Sequence, residues 1–158
     1  WLDPETVKLC FPQEYERRKI MIPVIEQIYL LKKTSLFSGL AGETLRPIAE
    51  SFVDQKVQKN DIIFSQGDAA DSFYLILSGT VQVSIDGKPV RKMSDGDCFG
   101  ELALLEYLPR SATVKALDNC KIMKLGKEDF LDLIHEYPEI SMGLMQTLSK
   151  RLRTNSGK

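Results

Sequence analysis

The chain has 158 residues, of which 43% are hydrophobic and 27% are charged. This balance is typical of one folded domain, with or without a helical arm, and it excludes wholesale disorder. The 21 Lys and Arg residues are matched by 22 Asp and Glu residues, so the sequence lacks the cationic excess of a general nucleic-acid binder. Its apolar runs fall far short of the roughly 20 residues of a membrane-spanning helix, and we expect no signal peptide.

The first third of the chain is predicted to be helical. In residues 12–33 the apolar side chains recur at helical spacing, with Glu and Arg residues on the opposite side. Pro23 lacks the amide hydrogen of the i−4 bond, so we expect a kink or a break there. A second amphipathic helix is expected within 42–52, and Pro47 indicates that its regular part begins near that residue.

From Gln55 onwards the apolar residues alternate with a period of two. The pattern predicts about eight short strands separated by turns of Gly, Asp, Asn and Ser. The strand candidates are 56–58, 61–66, 72–77, 80–86, 89–93, 98–99, 111–117 and 120–125. Between two of them, Asp86-Gly87 is a two-residue hairpin signal. Many short strands joined by tight turns indicate an antiparallel barrel, roll or sandwich.

Two more helices are expected at the end of the chain, over 127–137 and 138–153, and cations in the last turn of the second oppose its dipole. The order of elements predicts an α+β fold, an antiparallel β-roll of the jelly-roll type flanked by N-terminal helices and two C-terminal helices. Because the sequence begins with Trp1 rather than Met, we expect a fragment of a larger parent protein. We divide it into an N-terminal helical arm or linker, 1–34, and a domain, 35–158.

Cysteine and histidine usage argues against several classes of enzyme. Cys10, Cys98 and Cys120 are widely spaced and form no CxxC pair. We therefore interpret them as reduced structural thiols of an intracellular protein. The single histidine, His135, is too little for a catalytic triad or a His-rich metal centre. We predict no catalytic residue, no metal site, no cofactor and a cytoplasmic location, in the cytosol or, through the parent protein, on the cytoplasmic side of a membrane.

One segment, 98–112, departs from the rhythm of the strands. Gly100 permits close approach of the backbone, and a helix-prone insert over 101–106 would offer free N–H groups in its first turn to an anion. The planar guanidinium of Arg110 can hold two phosphate oxygens. The carboxylate of Glu101 suits a sugar hydroxyl, because an ionised carboxylate only accepts hydrogen bonds. Together these residue types suit a sugar phosphate.

This segment resembles the phosphate-binding cassette of cyclic-nucleotide-binding domains, in its runs FGELALL (99–105) and PRSATV (109–114). That superfamily includes the regulatory subunit of cyclic-AMP-dependent protein kinase, cyclic-nucleotide-gated channels and the bacterial catabolite activator protein. Three turns, at 64–68, 74–79 and 96–97, resemble the family's turn signatures in the same order. The resemblance covers about residues 35 to 154. It implies a non-catalytic sensor that binds a cyclic purine mononucleotide.

The resemblance also implies roles for individual residues. Glu101 would accept from the ribose 2′-OH and Arg110 would pair with the phosphate, while backbone N–H groups complete the cradle. The expected ligand-binding residues are Gly100, Glu101, Leu102, Ala103, Arg110, Ser111 and Ala112. Ser111 stands where the kinase subunits usually carry Ala and the channels carry Thr; because the catabolite activator also has Ser, cAMP is favoured over cGMP. The candidates to cover the base are Met93, Met145 and Leu148.

The expected mechanism is a helix rearrangement that passes from the ligand to the parent protein. The C-terminal helix, 138–154, would close over the base, and the arm would carry the motion to a membrane transporter, a channel or a helical-repeat module. No nucleic acid is expected to bind this fragment. Two alternatives stand beside this reading: a ligand-free structural or interaction domain of the same fold, and an effector domain trimmed from a DNA-binding transcription factor.

Overall fold

The structure, a computed structural model, describes residues 24–156. The sequence-based predictions for Cys10 and Pro23 lie outside these residues. Within them, helices flank a central β region on both sides in the sequence. The helices are α1, described over 24–33, α2 (Gly42–Glu50), α3 (Lys127–Glu136) and α4 (Pro138–Ser156), with a short 3₁₀ helix at Glu101–Leu104. None of the described helices is long and apolar enough to cross a membrane.

Eight strands in the described part of the chain form two four-stranded sheets. Their bounds are β1 Val53–Val57, β2 Ile62–Phe64, β3 Ser72–Ser78, β4 Val81–Ile85, β5 Lys88–Met93, β6 Cys98–Phe99, β7 Thr113–Ala116 and β8 Cys120–Gly126. The strand orders are β1-β8-β3-β6 and β2-β7-β4-β5, and every pair is antiparallel. The predicted α+β fold with an antiparallel β-roll is confirmed.

The hairpin between β4 and β5 shows how local sequence sets the register. Asp86 and Gly87 both have positive φ, 52° and 78°, as a type I′ turn requires. The turn brings Ile85 opposite Lys88, and a register shift between Val83 and Ser84 then places Val81 opposite Met93. The predicted two-residue hairpin is therefore present at the predicted residues.

Two hydrophobic clusters meet at β3. Phe73 and Leu75 face the larger cluster, which the helices cover, whereas Tyr74 and Ile76 face the smaller cluster between the two sheets. A strand buried on both faces is apolar throughout, which accounts for the unbroken run from Phe73 to Leu77. The larger cluster also receives Leu31 of α1. The described part of the predicted arm thus packs against the roll.

The prediction that α2 begins near Pro47 is wrong. The helix begins at Gly42 and contains Pro47 in its interior. Proline there removes one i−4 hydrogen bond, but Leu45, Ile48 and Ala49 of this helix are almost completely buried. Burial of three apolar side chains outweighs the missing bond, since the tertiary packing of an apolar face supplies most of the stability of a short helix.

Candidate functional site

The site is built where the second half of the chain leaves the sheet and returns to it. After the two-residue strand β6, Gly100 adopts a left-handed conformation with φ 79° and caps the 3₁₀ helix Glu101–Leu104. This helix is shorter than the insert predicted over 101–106. An exposed loop follows, and the chain re-enters the sheet at β7. The beginning of this loop is held by buried Lys127, which donates to the carbonyl of Glu106.

Gly100 makes room for the guanidinium of Arg110. A Cβ atom at Gly100 would lie 2.7 Å from Nη1 of Arg110 and 3.0 Å from the carbonyl oxygen of Ser72. Both distances are shorter than ordinary van der Waals contact. Only glycine combines this backbone angle with this close approach.

Arg110 is positioned by its backbone as well as by its side chain. Its N–H donates to Asp68 O at 2.7 Å, and its carbonyl accepts from Gly67 N–H at 2.8 Å. Its Nη2 donates to Ser72 O at 2.8 Å, and its guanidinium carbon lies 4.0 Å from the ring centroid of Phe64. The side chain is thus clamped between β3 and an aromatic face.

The electrostatic state of Arg110 is unusual for a folded protein. The residue is only 7% exposed, and no carboxylate within residues 24–156 forms an ion pair with it. Its Nε is buried and has no hydrogen-bond partner in the described part of the chain. Burial lowers the pKa of the guanidinium, which nevertheless stays charged at neutral pH. A buried cation with an unused donor is suited to an anion.

Glu101 stands at the other end of the same segment. It is half-buried, and both of its carboxylate oxygens are hydrogen-bonded to the turn that follows α1. Oε1 accepts from the hydroxyl of Ser35 at 2.7 Å, and Oε2 accepts from Leu36 N–H at 3.3 Å. The carboxylate therefore links the segment to the N-terminal helices.

A cavity of about 500 Å³ lies beside these two residues. Six of the seven expected ligand-binding residues line it, namely Gly100, Glu101, Leu102, Ala103, Arg110 and Ser111. Ala112 is absent from the lining and packs partly buried against the smaller core cluster. The N–H of Ala103 donates to Gly100 O at 3.0 Å, so it is already engaged within the 3₁₀ helix.

The three residues expected to cover a base lie elsewhere. Met93 is buried in the smaller core cluster, opposite Val81. Met145 and Leu148 lie on α4 and are 56% and 36% exposed. None of the three lines the cavity. Their role as a cover for the base stays a prediction.

The cavity-wall residues that the predicted site did not include have two polar or reactive members of interest, Arg91 and Cys98. Arg91 pairs with Val83 across β4 and β5, and paired residues share one face of a sheet. Because Val83 is buried, this register places Arg91, whose side chain is exposed, on the cavity side of the sheet. The pairing depends on a register shift between Val83 and Ser84 that the sequence does not signal. Cys98 is half-buried; burial, and next the charge of Glu101, raises the pKa of its thiol to about 11. In the described residues no cluster of His, Cys, Asp and Glu suited to a metal ion is found.

The fold and this cavity define an antiparallel β-roll with a site suited to a small organic anion. A family model described as cyclic nucleotide-binding domain matches residues 54–137, and the chain belongs to this family.

The chain is also similar to individual proteins and solved structures. The chain is 43% identical over 134 residues to a cAMP-dependent protein kinase regulatory subunit of Debaryomyces hansenii, covering 84% of this chain and 28% of that protein. Among solved structures it resembles the N-terminal domain of a transcriptional regulator from Streptomyces coelicolor, with a TM-score of 0.72, 27% identity and coverage of 80% of this chain and 94% of that one.

A second solved structure is also similar to the chain. The regulatory domain of Toxoplasma gondii PKA, co-crystallised with cAMP, has a TM-score of 0.63 and 30% identity, covering 70% of this chain and 44% of that one. The chain thus spans less than half of that structure and about a quarter of the kinase regulatory subunit.

Proposed function

We propose that this domain is a non-catalytic sensor that binds cAMP in the cavity beside Arg110. The observation that carries the proposal is the buried guanidinium, which has an unused Nε donor and no ion pair in the described residues. A cyclic phosphodiester supplies one negative charge and two free oxygens, which match a planar donor. The names of the relatives, a cAMP-dependent kinase subunit and a domain co-crystallised with cAMP, support this choice.

The remaining contacts follow from the cavity wall. Glu101 is the acceptor for the ribose hydroxyl, because a carboxylate accepts from a hydroxyl and repels a phosphate. Gly100 leaves the backbone open to the ligand. Ser111 is exposed at the cavity and its hydroxyl is a further donor to the phosphate.

The signal is proposed to leave the site through the flanking helices. Glu101 is bonded to the turn after α1, and Leu31 of α1 lies in the same core cluster as Ile140 and Leu144 of α4. A ligand that draws the 3₁₀ helix inward therefore acts on both ends of the domain. A ligand shifts such an equilibrium only by its different affinity for the two arrangements.

Arg91 favours cGMP as a second candidate ligand. Guanine presents two acceptors, N7 and O6, whereas adenine presents one acceptor and one amine donor at the corresponding positions. The guanidinium of Arg91 donates only. If it reaches the base, it pairs better with guanine.

Calorimetric titration of the purified domain with cAMP and cGMP tests the proposal. We expect heat and a rise in melting temperature with cAMP. Absence of both effects with both nucleotides would refute the sensor function and leave a structural domain of the same fold. The variant Arg91→Ala tests the contact with the base. A loss of affinity for cGMP alone assigns Arg91 to the base. Affinities for both nucleotides equal to those of the wild type exclude a contact between Arg91 and the base.

A further inference from the structure

The turn that follows α1 holds the carboxylate of Glu101. The hydroxyl of Ser35 donates to Oε1 over 2.7 Å, and the amide of Leu36 donates to Oε2 over 3.3 Å. Both oxygens of the group that the proposed function assigns to the ribose therefore already accept a hydrogen bond. These donors come from residues more than 60 positions earlier in the sequence.

The turn is anchored in the core on both sides of Ser35. The hydroxyl of Thr34 donates to Leu31 O at 2.7 Å and accepts from Phe37 N–H at 3.1 Å. Thr34, Leu36 and Phe37 are buried, whereas Ser35 is exposed. Ser35 thus contributes little to packing, and its hydroxyl is directed to Glu101.

A hydroxyl that donates to a carboxylate makes it a weaker acceptor for the next donor, because the donors share its lone pairs and its negative charge. We propose that Ser35 sets the affinity of the site by competing with the ribose hydroxyl for Glu101. Binding of the nucleotide then weakens the contacts of Glu101 with the Ser35 hydroxyl and the Leu36 amide, while the rest of the turn 34–38 stays anchored. By linkage, a turn that holds Glu101 more tightly lowers the affinity for the nucleotide. This inference rests on the proposed function.

Titration of Ser35→Ala with cAMP measures the competition. Loss of the competing hydroxyl is expected to tighten binding by about two- to tenfold, the value of one hydrogen bond. Ser35→Thr retains a hydroxyl and is expected to bind as the wild type does. Ser38→Ala is the matched control: Ser38 is exposed in the same turn, and the described bonds to Glu101 come from Ser35 and Leu36. Equal or weaker binding by Ser35→Ala overturns the inference.

Amide hydrogen exchange of the wild-type domain is a second measurement. If Ser35 has only a structural role, the exchange rates in this turn should not depend on the nucleotide. The Leu36 amide is expected to exchange faster when cAMP is saturating, because its acceptor turns to the ligand. The Ser38 amide, which donates to Thr34 O at 3.0 Å, is expected to keep its rate. An unchanged rate at Leu36 refutes the competition.

The two proposals fail in different ways. If the wild-type domain binds neither cyclic nucleotide, the proposed function is refuted and this inference with it. If the wild type binds cAMP and Ser35→Ala binds it equally well, the sensor function stands and only the role of Ser35 is refuted.

Discussion

Gly87 and Gly100 have nearly the same backbone, with φ of 78° and 79°, but their surroundings differ. A Cβ atom at Gly87 would meet nothing within 4 Å, whereas one at Gly100 would lie 2.7 Å from Arg110 Nη1 and 3.0 Å from Ser72 O. The first glycine serves its own hairpin. The second serves a side chain that arrives from ten residues further along the chain and a carbonyl from another strand. Two similar turn signals in the sequence therefore have different consequences for the site.

The largest expected effect is on ligand affinity, and it follows from removing Arg110, the cation for which Gly100 makes room. Arg110→Ala removes the buried charge and its hydrogen bonds, and loss of such a contact costs about 2–5 kcal/mol of binding free energy. We expect the affinity for cAMP to fall by about tens- to thousands-fold, measured by calorimetry. The control is Arg46→Ala, an exposed arginine in a surface pair with Glu50, which should leave the affinity unchanged. Retained affinity in Arg110→Ala would show that the anion binds elsewhere.

The contrast between the two glycines also marks what the sequence could predict. The hairpin depends on two adjacent residues, Asp86 and Gly87, so its position and the pairing next to the turn followed from local turn chemistry. The short strands and the last two helices followed in the same way from periodicity. The residues of the cassette were found because Gly100 and Arg110 stand close together in the sequence, within one recognisable segment.

Features that depend on distant contacts could not be predicted in this way. The bond between Ser35 and Glu101 joins residues 66 positions apart, and neither residue type signals it. The position of Arg91 at the cavity depends on a register shift between Val83 and Ser84, which the turn at Asp86-Gly87 does not predict. The start of α2 was misplaced because Pro47 is judged by its local cost, while the burial of that helix is a tertiary effect.

The second prediction tests the comparison of the two glycines directly, by adding one methyl group at each of them. Gly87→Ala is expected to lower the free energy of unfolding by about 1–2 kcal/mol, the cost of a left-handed alanine, without changing the affinity for cAMP. Gly100→Ala has the same backbone cost and also displaces Nη1 of Arg110. Loss of one charge-assisted hydrogen bond then weakens binding by about ten- to a hundredfold. Chemical denaturation and calorimetry measure the two quantities.

Comparing affinity with stability in the two glycine variants separates an effect on binding from an effect on folding. If Gly100→Ala loses stability but keeps its affinity, the guanidinium shifts without cost and the close approach has no role in ligand recognition. If Gly87→Ala also loses affinity, the hairpin acts on the cavity and the two regions are not independent.

The smallest expected effect compares two cysteines, one that lines the cavity and one that lies away from it. Cys98 lines the cavity two residues before Gly100, whereas Cys120 lies against Gly79 at a distant turn. Burial and the neighbouring carboxylates raise the pKa of the Cys98 thiol from 9.0 to about 11. At pH 9 about 1% of Cys98 is then thiolate, against about half of an ordinary cysteine, so alkylation should be slow and should rise with pH through about 11.

The raised pKa of Cys98 also determines how its contribution to the stability of the fold changes with pH. The unfolded chain releases the Cys98 proton at a lower pH than the folded chain, so the contribution of this thiol to stability is complete below pH 9 and is lost as the pH rises to about 11. Mass spectrometry of alkylated peptides follows both cysteines in one sample. Saturating cAMP should slow the labelling of Cys98 and leave the rate at Cys120 unchanged, because only Cys98 lines the cavity. Equal protection of both thiols would indicate a global gain in stability instead of a ligand at the cavity wall.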